Sequence, residues 1–274
     1  MRKNRKIAIY IVIALIAVCT GIVLFPVLSV HTDEKANRLI WDVVESQNDE
    51  GRSFFKISFR CVDPRRKVTK VVESYDDNGT VDLQVTTRGL PLLASADPER
   101  LYSVEVADSD DTVIKKITLQ TGIVLWEDGA TVDRTTAFMF DVVKRVTGIS
   151  SKAEIILNYS GANSWGSVGE IQVAQRRLSV AFSAEVVNDE EEAMLEELKK
   201  SSCLLLALIE DLDEVTWNYS FNGRKDALRF EASDAAAMLG PENGGSSIKE
   251  YGKTAACLQR LMDQIDFESG VFIG

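Results

Sequence analysis

A run of 24 residues without a charge, 7–30, constrains this chain more than any other feature. A helix of about 20 apolar residues crosses the hydrocarbon core of a bilayer. Arg2, Lys3, Arg5 and Lys6 precede the run, while His31, Asp33, Glu34, Lys35 and Arg38 follow it. That bias of Lys and Arg predicts a cytoplasmic N-terminus and places residues 31–274 outside the membrane. A cleaved signal has a shorter apolar core, about 7–15 residues, and a small-x-small cleavage site. No good Ala-x-Ala site follows this run. Cys19 raises a lipoprotein reading, but Ile16, Ala17 and Val18 precede it where a lipobox needs a small residue just before the Cys. The expectation is an uncleaved single-pass anchor, with a cleaved signal and a lipoprotein as the alternatives. Pro26 is tolerated in a membrane helix. A span without an ionisable side chain argues against a channel or transporter.

The rest of the chain reads as globular. The composition of the whole chain, 45% hydrophobic and 27% charged, is neither that of a disordered segment nor that of a disulfide scaffold. The formal net charge is −11, and the four N-terminal cations lie before the span, so the outer part is more acidic than the whole. An acidic surface repels nucleic acid and anionic polymers or lipids. Arg65, Arg66 and Lys67 form a local basic patch, read as a solvated turn. Beyond Cys19, the odd number of Cys61, Cys203 and Cys257 cannot all pair within one chain. None has zinc or redox spacing. Buried or idle thiols are expected, and Cys203–Cys257 is the pair if a disulfide forms.

Four segments follow from the patterning. Residues 1–30 are a cytoplasmic stub and transmembrane anchor, and 31–50 a juxtamembrane segment in which Leu39, Ile40, Trp41, Val43 and Val44 can begin a strand or sit near headgroups. Over 51–132, short apolar–polar alternations predict about six strands. Phe55, Ile57, Phe59 and Cys61 share one face, and Asp77-Asn78-Gly79 turns the chain into Val81, Leu83 and Val85. Further runs lie at 102–106, 113–119 and 123–126. This spacing predicts a small antiparallel β-sandwich. Over 133–274 the elements mix into an α+β domain. A helix over 135–147 is capped by Gly148, and strands follow over 154–159, 170–173 and 178–182. Asp189 and Glu192 open a helix reaching about residue 209. Asn222-Gly223 turns a hairpin between 215–221 and 227–230. Ser233 caps a short helix that Gly240-Pro241 ends, 244–247 form a loop, and Leu258, Leu261, Met262 and Ile265 mark a final helix.

Several phrases in the second region occur in a telling order. They are Asn163-Ser164-Trp165-Gly166-Ser167-Val168-Gly169, then 208–216 (Leu208-Ile209-Glu210-Asp211-Leu212-Asp213-Glu214-Val215-Thr216), then Ala237-Met238-Leu239-Gly240 and Tyr251-Gly252-Lys253-Thr254. Together they resemble a Gram-positive family catalogued as domain of unknown function 4825, over about residues 150–266. The resemblance implies a module that follows an N-terminal anchor. Some members look like extracytoplasmic parts of membrane sensor-peptidases related to the beta-lactam receptor. The family supplies no catalytic residues, and the His-Glu-x-x-His helix of those peptidases has no counterpart in this chain. Ile123-Val124-Leu125-Trp126-Glu127 looks like the closing strand of small Ig-like domains in bacterial surface proteins.

Histidine limits the chemistry. His31 is the single histidine, just outside the span, whereas Ser-His-Asp and Cys-His machines need an imidazole beside the nucleophile. Multi-His metal sites are excluded. Paired carboxylates remain, since glycoside hydrolysis needs only two. Asp211, Asp213 and Glu214 cluster, as do Asp108, Asp110 and Asp111, but among 42 acidic residues such clusters arise by chance and read as solvated turns. The second cluster lacks the Gly and distal Glu of a calcium loop. Ser247-Ile248-Lys249 is only a shortened Ser-x-x-Lys. Gly161, Gly166 and Gly169 lack the Lys of a phosphate loop. Trp165, among small residues, is either a lid on the core or an exposed anchor for a partner.

No catalytic, cofactor-binding or metal-binding residue is assigned, and no cofactor is expected. The candidate contact set is Asn163, Ser164 and Trp165, with Asp211 and Asp213 as neighbours. The expected function is that of a membrane-anchored extracytoplasmic interaction or sensory-accessory protein without catalytic activity. Its expected partner is another membrane or cell-wall protein, not nucleic acid. The alternatives are a cell-envelope hydrolase with paired carboxylates and a structural partner that associates through the anchor helix.

Overall fold

Alternation in the first half of the sequence becomes sheet, and the 3.6-residue periods of the second half become helices over a sheet. The computed structural model describes residues 30–31, 35–48, 51–89, 101–108, 112–183, 185–186, 191–240 and 247–267. The described chain is mostly β-sheet with several helices. It forms two compact units that part between Trp126 and Glu127. Among the described residues no helix is long and apolar enough to cross a membrane. Of the expected span only Val30 falls among them.

The first unit holds β1 (Val30–His31), β2 (Leu39–Gln47), β3 (Ser53–Cys61), β4 (Arg66–Tyr75), β5 (Thr80–Gly89), β6 (Tyr102–Ala107), β7 (Lys116–Leu119) and β8 (Val124–Glu127). One sheet has the order β2-β3-β6. In the other, β5 pairs with β4 along one flank and with β1 and β7 along the opposite flank, and β8 follows β7. The alternation is visible in the burial. Phe55, Ile57 and Phe59 of β3 are fully buried, as are Val81, Leu83 and Val85 of β5. Each such side chain contributes about 1.5–3 kcal/mol on leaving water. The ring of Phe55 meets Trp126 edge-on with centroids 4.6 Å apart, and Trp126 Nε1 donates to Glu45 at 3.1 Å. The Asp76–Gly79 turn is held by Asp76, whose carboxylate accepts from Asn78 and Thr80. Gly79, at φ 83°, takes the left-handed conformation that lets it lie against the Val113 carbonyl.

Two boundaries differ from the sequence reading. The segment 31–50 is not a separate juxtamembrane piece. It supplies the nine-residue β2, because Leu39, Trp41 and Val43 alternate into the core opposite Cys61, Phe59 and Ile57. The division between units falls at 126/127 rather than 132/133. Residues 127–132 belong with the second unit because Arg260 donates to the Asp128 carbonyl at 2.7 Å and β9 (Ala130–Thr131) lies against the last helix.

The second unit continues with α1 (Arg134–Arg145), α2 (Ile149–Ser160), β10 (Val168–Ala174), β11 (Arg177–Phe182), α3 (Glu191–Leu208), β12 (Glu214–Phe221), β13 (Arg224–Glu231), α4 (Ala232–Leu239) and α5 (Ala255–Gln264). Its sheet has the order β10-β11-β12-β13. The β11–β12 pair is parallel, so a crossover must join them, and α3 is that crossover. Leu178, Val180, Val215, Trp217 and Phe230 turn inward, and helix α3 is buried from Ser201 to Leu208. Trp217, fully buried, donates from Nε1 to Ser202 Oγ at 2.8 Å, and Ser202 in turn donates to the Leu198 carbonyl at 2.7 Å. This chain of bonds answers the indole N–H that burial would otherwise orphan.

The expected strand over 154–159 is instead the C-terminal half of α2. Ala153, Ile156, Leu157 and Ser160 are buried at helical spacing, and a short apolar run carries no period of its own to settle the choice. Gly148 does not end α1, which stops at Val146. It opens α2 at φ 90°. The expected Ser233 cap is Glu231, which exchanges bonds with Asp234 in a capping box. Asp189, Pro241 and the loop glycines Gly244 and Gly245 lie outside the described residues. Hairpin β12–β13 and helix α5 form where expected, with Asn222 and Gly223 both at positive φ and Thr254 capping α5.

Candidate functional site

The phrase at residues 161–169 joins α2 to β10. Gly161 closes α2 in the left-handed conformation, and a 3-10 turn follows over Ala162–Ser164. Ala162 is buried and pins the turn, which leaves Asn163 and Ser164 exposed. Trp165 is partly buried and packs against the core, so of its two sequence readings the structure favours the lid. The glycines serve close approach. A methyl group at Gly166 would lie 3.2 Å from the Phe182 ring, and one at Gly169 would lie 2.9 Å from the Ser183 side chain. The β10–β11 register slips between Val168 and Glu170, at this crowded point. Phe182 stacks on Trp217 at 6.0 Å, linking the loop to the buried indole.

Beside the loop, α2 and β10 enclose an open cleft of about 480 Å³. Glu154, Asn158, Asn163 and Ser167 furnish its polar groups, and Leu157, Val168 and Ile171 its apolar wall. Asn163 Nδ2 donates to Asn158 Oδ1 at 3.0 Å, which fixes the two amides side by side. The volume suits part of a sugar or a short peptide. Amides, a hydroxyl and a single carboxylate can hold such groups by hydrogen bonds. The lining contains one carboxylate, Glu154, where a two-carboxylate hydrolase needs a second.

Asp211 and Asp213 do not join this site. The loop sits at the Phe182 end of β11, where Val168 pairs with Phe182, whereas Asp213 adjoins the Arg177–Glu214 pair at the other end. Five residue steps of strand, about 17 Å, separate those positions. Both Nε and Nη2 of Arg176 bind the Asp213 carboxylate, at 2.8 and 2.9 Å, across a neighbouring turn.

Lys249, which the sequence reading met only in a shortened Ser-x-x-Lys, organises that second end. Its Nζ donates to the carbonyls of Leu206 at 2.6 Å, Ile209 at 2.7 Å and Leu212. Leu206 is in the last turn of α3, Ile209 directly follows it and Leu212 ends the next turn, so Lys249 acts as a cap supplied from 40 residues along the chain. Burial pulls the Lys249 amine down from 10.5 to about 8, with Asp213, Asp211 and Glu210 opposing the shift and Arg176 adding to it. Gly252, three residues on, lies so close to the Ala207 carbonyl that no side chain fits. The one signal in the sequence was the lysine between a turn and an apolar helix.

The other candidates have structural partners. Asp108 accepts from the Ser53 amide at 3.1 Å and the Ile114 amide at 2.8 Å, which ties β3 to the turn before β7. Asp110 and Asp111 lie outside the described residues. Cys203 and Cys257 are free thiols rather than a disulfide pair, and burial pushes Cys203 up to about 12. Glu214, nearly buried, receives Arg177 at 3.2 Å and Arg229 at 2.8 Å. Among the described residues no group of three or more His, Cys, Asp or Glu side chains is placed to hold a metal ion. Comparison of the chain with protein-family models, with curated proteins and with solved structures returns no match in any of the three.

Proposed function

We propose that this chain is a membrane-anchored extracytoplasmic interaction protein. The run at 7–30 is its single span, the first unit an Ig-like sandwich, and the second an α+β module that carries the contact site. The observation that carries the reading is the uncharged run of 24 residues with cations crowded on one side of it. The contact site is the cleft between α2 and β10, where Asn158, Asn163 and Ser167 present hydrogen-bonding groups beside an apolar wall. Its partner is a hydroxyl- and amide-bearing segment of a wall component or of another envelope protein.

The test is crosslinking from a photoreactive residue placed at the exposed Asn163, with the full-length protein in its native membrane. A specific adduct that Ser167→Arg abolishes supports the reading. Trp165→Ala is a poorer probe, because it removes packing as well as contact. No adduct at position 163 removes the site assignment. Product release from wall glycans that Glu154→Gln abolishes replaces the reading with the hydrolase alternative.

A further inference from the structure

The strands of the first unit run between two poles of opposite charge. β2 begins, β3 ends, β4 begins and β5 ends at one pole, as the pairings Leu39↔Cys61 and Arg66↔Gly89 fix. Lys35, Arg38, Arg60, Arg65, Lys67 and Arg88 gather there, and Arg66 beside them turns a guanidinium nitrogen to Thr87 Oγ1 at 2.7 Å. Asp63 is the acid of the intervening turn, and its carboxylate accepts from the Arg65 amide at 2.8 Å. Among the described residues named at this pole, seven cations stand with one acid, in a chain whose net charge is −11. At the opposite pole Glu45, Glu73, Asp76, Asp77, Asp82 and Asp108 outnumber Arg52, Lys115 and Lys116.

The chain leaves residues 7–30 at the basic pole. Val30 pairs with Arg88 and His31 with Thr87, antiparallel to a strand whose numbering rises toward that pole. No spacer separates the uncharged run from the sheet. We propose that the basic pole of the first unit docks on the anionic headgroups of the membrane in which the run is embedded. The inference rests on the reading of 7–30 as a span. The short connection keeps the pole within about one Debye length, ~10 Å at 0.1 M salt, of the headgroups. Cations facing the lipid and acids facing away set the polarity of the unit on the bilayer. The Arg65-Arg66-Lys67 patch, read from sequence as a solvated turn, faces the headgroups in this arrangement.

The experiment is amide hydrogen exchange of the full-length protein in nanodiscs of phosphatidylcholine alone, and of phosphatidylcholine mixed with phosphatidylglycerol. Exchange in the turn at 62–65 and in the segment at 35–38 is expected to slow about threefold or more in the anionic discs. The slowing is expected to vanish in about 0.5 M salt. It is also expected to vanish in the Lys35→Glu, Arg65→Glu, Lys67→Glu variant, whose unchanged exchange in β3 and β5 reports an intact fold. Arg52→Glu with Lys115→Glu, at the other pole, is expected to leave the slowing in place. Equal exchange in the two kinds of disc, with the chain embedded in both, overturns the docking and leaves the span standing. A chain that an alkaline wash strips from the membrane overturns the span, and the docking falls with it.

Discussion

The two ends of the four-stranded sheet in the second unit carry phrases that look alike in sequence: small, polar and rich in glycine or acid. At one end Lys249 turns inward onto three backbone carbonyls, and Arg176 holds Asp213. At the other, Glu154, Asn158, Asn163 and Ser167 line a cleft open to solvent. The first end closes the fold, and the second leaves hydrogen-bonding groups where a ligand can reach them. Polar composition alone does not separate the two uses. The direction in which each polar group finds its partner does.

The largest effect is expected at the closed end. Gly252→Ala places a methyl group against the backbone carbonyl of Ala207, which cannot rotate away as a side chain would. It is expected to destabilise the second unit by about 3 kcal/mol. Hydrogen exchange of α3 amides in the full-length protein measures this, and a loss near zero breaks the picture of a closed end.

Lys249→Met comes next. It leaves the carbonyls of Leu206, Ile209 and Leu212 without their shared donor, at a cost of about 2 kcal/mol. The same residue gives a pH signature. Its amine releases a proton near 8 in the folded protein and near 10.5 when unfolded. Between those values the unfolded chain holds more protons, so this group adds stability as pH rises through the window. Cys203 acts oppositely: burial raises its thiol from 9.0 to about 12, so its contribution falls as pH climbs above 9. Comparing the native chain with Lys249→Met removes the thiol from the difference. The gap between them is expected to widen from pH 8 to 10. A gap independent of pH contradicts the buried-amine account.

These two residues also show what sequence can and cannot carry. The hairpin at Asn222-Gly223, the face of Phe55, Ile57 and Phe59, and helix α5 with its Thr254 cap are local signals, complete within a few residues. Lys249 meets partners 37 to 43 residues away, so its place between a turn and a helix does not by itself reveal its role. The run at 154–159 is local but ambiguous, and only its packing against the core made it helix. For the candidate site, the exposed Asn163 and Ser164 were legible as a turn among small residues. That Asp211 and Asp213 lie about 17 Å away was not, because it depends on which end of β11 each loop meets.

At the open end smaller effects are expected. Gly169→Ala brings a methyl group within 2.9 Å of the Ser183 side chain, where β10 already slips register. The strand lies at the sheet edge and can give, so the expected loss is about 1 kcal/mol, read from exchange in β11. A loss as large as that at Gly252 makes this end as rigid as the other and weakens the contrast.

Asn163→Ala is the sharpest test because its two readouts separate. Asn163 is exposed, and its bond to Asn158 is a surface one, so stability is expected to stay within about 0.5 kcal/mol of the native chain. If the cleft receives a partner, removing the amide deletes one hydrogen bond to it and leaves Asn158 to reorient. A crosslink placed instead at the exposed Ser164 is then expected to weaken severalfold with no change in exchange across α2 and β10. An unchanged crosslink with unchanged stability makes the open end as indifferent to function as the closed end is essential to folding. A loss of stability with the crosslink intact assigns the amide pair to the fold, which moves Asn163 to the same side of the comparison as Lys249.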